Sequence, residues 1–241
     1  MIGSKVIISG GYGHYGNALA HTELLDLKTG HCIQLPSLPW PKSGVTGGLL
    51  GDIPLVIGGY DDDDVLQIGK DAIIPFASHL NAMRWYAATT QKNQSLWVTG
   101  GVVSFRDYYK STELIQRDGT IIAGPDLPVA ATSHAIVDQH EDTYMLIGGQ
   151  TDDDTCSKAT YVYNARSGKW TKGPDLLQGR EFHSAGILHD AITHDQYTVV
   201  VGGNGLTSSV EVLKSGSTEW AQGKHIKHFV IVLNLTNFLF Y

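Results

Sequence analysis

Apolar residues in this chain fall in runs of about four, too short for helices and rich in the β-branched and aromatic types that suit buried strands. Five such runs, residues 6–9, 54–57, 96–99, 144–147 and 198–201, each end in a glycine pair: Gly10 and Gly11, Gly58 and Gly59, Gly100 and Gly101, Gly148 and Gly149, Gly202 and Gly203. These runs are expected to form the inner strands of a repeated unit. Upstream of the last four lies a second apolar segment followed by a polar turn, the signature of a β-hairpin. Residues 86–90 with the turn 91–95 and residues 134–137 with the turn 138–142 are the clearest cases, and residues 184–188 repeat the arrangement with a longer connection. After each glycine pair comes a loop of variable length. A third strand is then predicted at 112–115, 159–163 and 209–213, and an outer strand ending near Ile122, Trp170 or Trp220.

The glycine pairs recur at intervals of 48, 42, 48 and 54 residues, close to the roughly 50-residue period of one class of β-propeller repeat. A glycine pair behind a strand lets the backbone take positive φ and lets neighbouring elements approach closely. That is what radial sheets need near their centre. The pattern predicts an all-β array in one domain, and 241 residues suit one large domain better than two.

Residues 163–170, YNARSGKW, place an aromatic and a tryptophan behind Gly148 and Gly149 with six residues between them. Residues 213–220 keep this spacing with leucine in the tyrosine place, while 115–122 and 25–32 keep it with apolar replacements. On Tyr163, Trp170, Trp220 and the glycine pairs, the chain resembles the Kelch-repeat β-propellers over about residues 1–222. The repeats run at about 1–53, 54–95, 96–143, 144–196 and 197–222, followed by an apolar tail at 223–241. The second repeat departs most: it is short and has no tryptophan, so its outer strands are the least well marked. Linkers between repeats read LPSLP at 35–39, GPDLP at 124–128 and GPDLL at 173–177, where proline ends strand pairing before the next blade.

The resemblance implies a ring, usually of six blades within a range of about four to eight, and five glycine-pair units are present. The first unit begins with its second strand, so the partner of residues 6–9 comes from elsewhere, in this family typically from the C-terminal end. Two readings stand. Residues 229–235 pair with the first blade and close a five-bladed ring, or the tail is foreign sequence on a truncated six-bladed ring. The expectation favours truncation, with an open edge prone to aggregation.

Charge narrows the function. With 17 Lys and Arg against 24 Asp and Glu the formal net charge is -7, which leaves no basic footprint for nucleic acid. Cys32 and Cys156 form neither a disulfide framework nor a metal motif, and residues 1–11 run straight into a strand with no room for a signal peptide. The expectation is a cytoplasmic protein, the alternative being a sequence whose beginning is missing. The apolar run 228–241 is shorter than the roughly 18 to 20 residues that span a bilayer, so no membrane association is expected. The sequons at Asn93 and Asn234 matter only in a secreted chain.

No candidate set for chemistry stands out. The 11 histidines include no H-E-x-x-H or H-x-H, and His189 and His194, beside Asp190 and Asp195, read as solvated loop residues. Acidic runs at 61–64 and 152–154 lack the spacing of an EF-hand and are expected as exposed, self-repelling loops. No metal, cofactor or catalytic residue is assigned.

Residues just before the first strand of a unit are more informative: Arg84 and Tyr86, Arg180, and His134 and His183 at similar places. In adaptors that pair a BTB domain with a Kelch propeller, arginines here can face the partner-binding mouth. The resemblance implies that Arg84 and Arg180 anchor an acidic peptide by bidentate hydrogen bonds; the alternative is that they bond backbone carbonyls inside the channel. Phe105, Arg106, Tyr108 and Tyr109 in the loop 102–110 form a second candidate contact, since aromatics and arginine dominate interface hot spots.

The expectation is a non-enzymatic module that binds a protein or peptide through loops on one face. By resemblance alone the settings are substrate recognition for a cullin ubiquitin ligase, or actin association. Without a BTB domain the chain is not expected to recruit a cullin by itself. The competing class is a sugar-active Kelch-like enzyme, such as a sialic acid mutarotase or galactose-oxidising protein, with Arg84, Arg180, His134 and His183 converging with a carboxylate in a deep pocket.

Overall fold

The computed structural model describes residues 4–104, 107–151, 155–204 and 209–223. Expectations that fall on Phe105, Arg106, residues 152–154 and the tail from 224 onward, including the closing strand at 229–235, lie outside the described residues.

The chain forms five antiparallel sheets arranged as a five-bladed β-propeller. The first sheet has three strands: β1 (Lys5–Ser9), β2 (Thr22–Asp26) and β3 (Cys32–Gln34). The second holds β4 (Thr46–Leu50), β5 (Ile53–Gly59), β6 (Asp62–Ile68) and β7 (Ile73–Pro75). The third holds β8 (Ala88–Lys92), β9 (Ser95–Thr99), β10 (Thr112–Ile115) and β11 (Ile121–Ala123). In the fourth are β12 (Ala135–Asp138), β13 (Thr143–Ile147), β14 (Thr160–Asn164) and β15 (Lys169–Lys172). The fifth comprises β16 (Ser184–His189), β17 (Gln196–Val201), β18 (Val210–Lys214) and β19 (Ala221–Gln222). Each sheet is an up-and-down meander in chain order.

The strands ahead of the glycine pairs are not the innermost ones. β4, β8, β12 and β16 pack in succession around the axis, and the glycine-pair strands β5, β9, β13 and β17 lie second. The hairpin arm with the weaker sequence signal takes the central place because it is buried on both sides. The second blade is complete despite its short repeat. Tyr60 and Asp61 make the whole connection after Gly59, with Asp61 at φ 54, so the acidic run at 62–64 begins strand β6 instead of forming a loop.

Apolar clusters sit between successive sheets. Ile57, Val65, Leu96 and Ile115 join the second to the third, Trp97, Ile136, Tyr144 and Tyr163 the third to the fourth, and Met145, Ile147, Val200 and Trp220 the fourth to the fifth. Val45, Val56 and Leu66 with Ile7 join the second to the first.

The glycine pairs fasten one blade to the next. Gly149 N donates to Arg180 O at 2.8 Å, Gly101 N to Ala131 O at 2.9 Å, and Gly11 N to Lys42 O at 2.8 Å. Both glycines of the fourth pair have positive φ, 55 at Gly148 and 93 at Gly149. A Cβ on Gly148 would lie 2.8 Å from Arg180 O.

The motif tryptophans have the same task. Tyr163 and Trp170 face each other across β14 and β15, and Trp170 Nε1 donates to Asp126 O in the linker GPDLP. Trp220 Nε1 donates to Pro174 O in the next linker. In the third blade Ile121, not Ile122, faces Ile115, because its turn is one residue shorter.

Candidate functional site

Antiparallel pairing puts the loops behind the glycine pairs and the segments leading into the innermost strands at one end of the propeller. The hydrogen bonds of the glycine pairs set a common frame there: Lys42, Arg84, Ala131 and Arg180 are equivalent, since each accepts the N–H of a second glycine.

Two positions further on stand Gly44, Tyr86, Ser133 and Phe182, all left-handed, with φ of 63, 52, 52 and 54. A backbone staircase explains this. Tyr86 N donates to Gly44 O, Ser133 N to Tyr86 O and Phe182 N to Ser133 O, at 2.8 to 2.9 Å. Each step links one blade to the next. Bulky residues at positive φ are rare and strained, and such strain concentrates at functional sites.

The result is a mouth lined with aromatic rings. Tyr86 and Phe182, two blades apart, meet edge to face at 5.0 Å, and Phe182 is 47% exposed. The Tyr12 hydroxyl lies near the Tyr86 phenol, which burial, and then Tyr12, push up to about 12. Beside them Tyr60 stacks on Trp85 at 4.2 Å with the rings parallel, leaving Tyr60 59% exposed.

Arg84 and Arg180 are not at this surface. Both are almost wholly buried. Arg84 donates from Nε to Glu113 Oε1 at 3.0 Å and from its two terminal nitrogens to Gly100 O, Ser111 O and Ser111 Oγ. Arg180 repeats the arrangement on Glu211, Gly202 O and Ser209. The structure therefore places both arginines as internal clasps on backbone carbonyls and a carboxylate, with their donors engaged away from any incoming acidic peptide.

Tyr109 belongs to the same clasp, its ring 4.6 Å from the Arg84 guanidinium carbon. Tyr108 is half-buried and bridges to Val102. His134 and His183 sit one step past the staircase, fully buried; His134 Nε2 lies 2.9 Å from Thr99 Oγ1. Burial, and then the neighbouring His183, lower His134 to about 3. Burial, and then Arg180, lower His183 to about 4. The arginine, histidine and carboxylate set of the sugar-active reading is thus buried beneath the mouth, not open to it.

The equivalent cation of the second blade, Lys42, is buried against Asp62 and Asp64. Burial would raise Asp62, but hydrogen bonds from Lys42 and Trp40 Nε1 outweigh it and hold the carboxyl below its usual range. His79 Nδ1 lies 3.0 Å from Asp63 and 3.1 Å from Asp64. The ligand atoms of these three residues fall within 4.8 Å of one another, but Lys42 already neutralises Asp64, so the group is an ion-pair network as it stands. At the opposite end, between the fourth and fifth sheets, a cleft of about 430 Å³ is lined by Gln139, Met145, Thr198 and Lys214. Among the described residues no helix is long and apolar enough to cross a membrane.

Sequence reasoning reached Tyr86 but missed Tyr12, Tyr60, Trp85 and Phe182. The signal was present: aligned on the glycine pairs, Arg84-Trp85-Tyr86 and Arg180-Glu181-Phe182 coincide. The left-handed backbone that turns the third residue outward has no signature in a Tyr or Phe.

The sheets and their order define a β-propeller. No family profile matches the chain, and no curated protein sequence is significantly similar to it. Among solved structures, the one titled "Structure of YjhT" superposes with a TM-score of 0.73 at 16% identity, covering 94% of this chain and 82% of that one. The likeness shows the shared fold.

Proposed function

We propose that the protein is a Kelch-type propeller that works as a non-enzymatic interaction module in the cytoplasm, docking a partner protein on the aromatic mouth. The observation that carries this reading is the pair Tyr86 and Phe182, held in left-handed backbone so that bulky rings meet over the axis. Natural chains relieve such strain with glycine, as Gly44 does at the same position; keeping Tyr and Phe there implies that the rings themselves are used. Substrate recognition for a ubiquitin ligase and actin association are the settings that the Kelch resemblance adds.

Phe182→Gly separates folding from function. It removes the ring while relieving the backbone, worth about 1 kcal/mol per left-handed residue. The variant is expected to melt at or above the wild-type temperature yet lose a partner that wild type retains in affinity capture. A partner retained equally by Phe182→Gly and Tyr60→Ala would place the docking site elsewhere. Anomer exchange of a sugar, followed by NMR and abolished by the same substitutions, would move the protein to the enzyme class.

A further inference from the structure

We infer that the mouth takes a positively charged segment of its partner, with Lys or Arg side chains laid on its rings; this rests on the reading of that face as the partner site. Every cation at the repeat position beneath the mouth is already engaged: Lys42 by Asp62 and Asp64, Arg84 by Glu113, Arg180 by Glu211. Among the described residues, nothing in that layer is left to receive an anionic ligand.

The carboxylates at the mouth are in the opposite condition. Glu181, next to Phe182, is only 7% exposed; it accepts a hydrogen bond from a neutral group, Asn204 Nδ2 at 2.9 Å, and has the Cys156 thiol, also neutral, nearby. Glu113 and Glu211 are buried to a similar degree, yet each holds an arginine; among the described residues Glu181 has no cation. A buried carboxylate without a counter-charge is costly, and an incoming cation repays that cost. Asp61, exposed and adjacent to Tyr60, likewise makes no ion pair among the described residues.

Next to Asp61 stands the parallel Tyr60 and Trp85 stack. Aromatic faces attract Arg and Lys, most strongly at Trp, and a desolvated site strengthens the attraction. The formal net charge of -7 favours the approach of a basic segment from a distance.

The test uses the full chain and three capped octapeptides, (Arg-Pro)4, (Gln-Pro)4 and (Glu-Pro)4, titrated calorimetrically at 50 and 300 mM salt. Proline keeps all three extended, so only charge differs. The arginine peptide is expected to bind about tenfold or more tightly than the glutamine peptide, to weaken with salt, and to lose about three- to tenfold in affinity on Tyr60→Ala and on the pair Asp61→Asn, Glu181→Gln. Asparagine tolerates the left-handed backbone of Asp61, and cooperative melting of each variant confirms its fold. Equal or tighter binding of the glutamine or glutamate peptide overturns the inference, as does an arginine peptide that fails to bind or ignores the substitutions. A partner captured in a Phe182-dependent way but not displaced by the arginine peptide would sink the charge inference and leave the docking face standing. If capture is indifferent to Phe182 and Tyr60 and the arginine peptide does not bind, both are lost.

Discussion

Among the described residues, the second, third and fifth blades bury a cation at one repeat position and the fourth does without. Arg84 and Arg180 pair with Glu113 and Glu211 on the third strands β10 and β18, whereas the fourth blade has Ala131 and, facing Leu146 where the others have the glutamate, Tyr161. Apolar groups of suitable size commonly replace a buried ion pair at little net cost, but removing one partner alone costs about 3–5 kcal/mol. Arginine was therefore a poor guide to the surface: its partner lies 29 residues downstream in the third blade, and only the sheet register brings the two together. The buried histidines carry the pH dependence. Their folded values, about 3 for His134 and about 4 for His183, lie below the unfolded value of about 6.5. Below that pH the unfolded chain binds protons that the folded chain refuses, so stability is complete above about 6.5 and falls as the pH drops towards 4. Denaturant titrations at pH 7.5, 6.5, 5.5 and 5.0 should show this loss. His134→Gln, which retains a polar group near Thr99, should remove up to one proton's worth of slope, about 1.4 kcal/mol per pH unit. An unchanged slope in the variant would show that the loss has another source.

The glycine pairs show at element scale why the fold could be read so fully. A Cβ on Gly148 would meet Arg180 O at 2.8 Å and the His183 Cε1 at 2.9 Å, both on the segment entering the fifth sheet, so the geometry of two blades forces glycine into the sequence. The repeat could be seen because each unit needs the same exception. Gly148→Ala should cost several kcal/mol, combining left-handed strain with overpacking against backbone. Gly168→Ala is the matched control: its φ of 67 is also positive, but nothing lies within 4 Å of the new atom. It should cost only about 1 to 2 kcal/mol. Equal losses in urea unfolding would mean that φ alone, not the approach of the next blade, selects glycine in the pairs. The innermost strands were harder to rank because their neighbours, not their own residues, decide their position. Thr89 and Thr90 of β8 are buried threonines that a hydropathy pattern scores as neutral. The acidic run at 61–64 misled for a related reason, since Lys42, which accommodates it within a strand, is some 20 residues upstream.

At the scale of the molecule, stability in a repeat array is a sum of each unit's own terms and its interfaces with neighbours. The second, third and fourth sheets each have an apolar cluster on both flanks. Among the described residues, the first sheet shares one with the second only. Its β1 also lacks an inner partner there and leaves Ile8 38% exposed, whereas the matching strands β9 and β13 are buried along nearly their whole length. Regions with fewer buried contacts and exposed backbone hydrogen bonds open first. Hydrogen exchange of the full chain, read by mass spectrometry, should therefore give a gradient. The third sheet, residues 88–123, exchanges slowest; β1 and β2 exchange fastest; the fifth sheet falls between them. The aromatic mouth makes this order more than a folding matter, because Tyr12 hangs on the first sheet and meets Tyr86 on the third. If the first sheet opens on its own, Tyr12 leaves the Tyr86 phenol without unfolding the Tyr86 and Phe182 corner, and docking survives in a weakened form. Protection of β1 equal to that of β9 would instead make the mouth a single unit whose rings are lost only together, and would show that contacts outside the described residues stabilise the first blade.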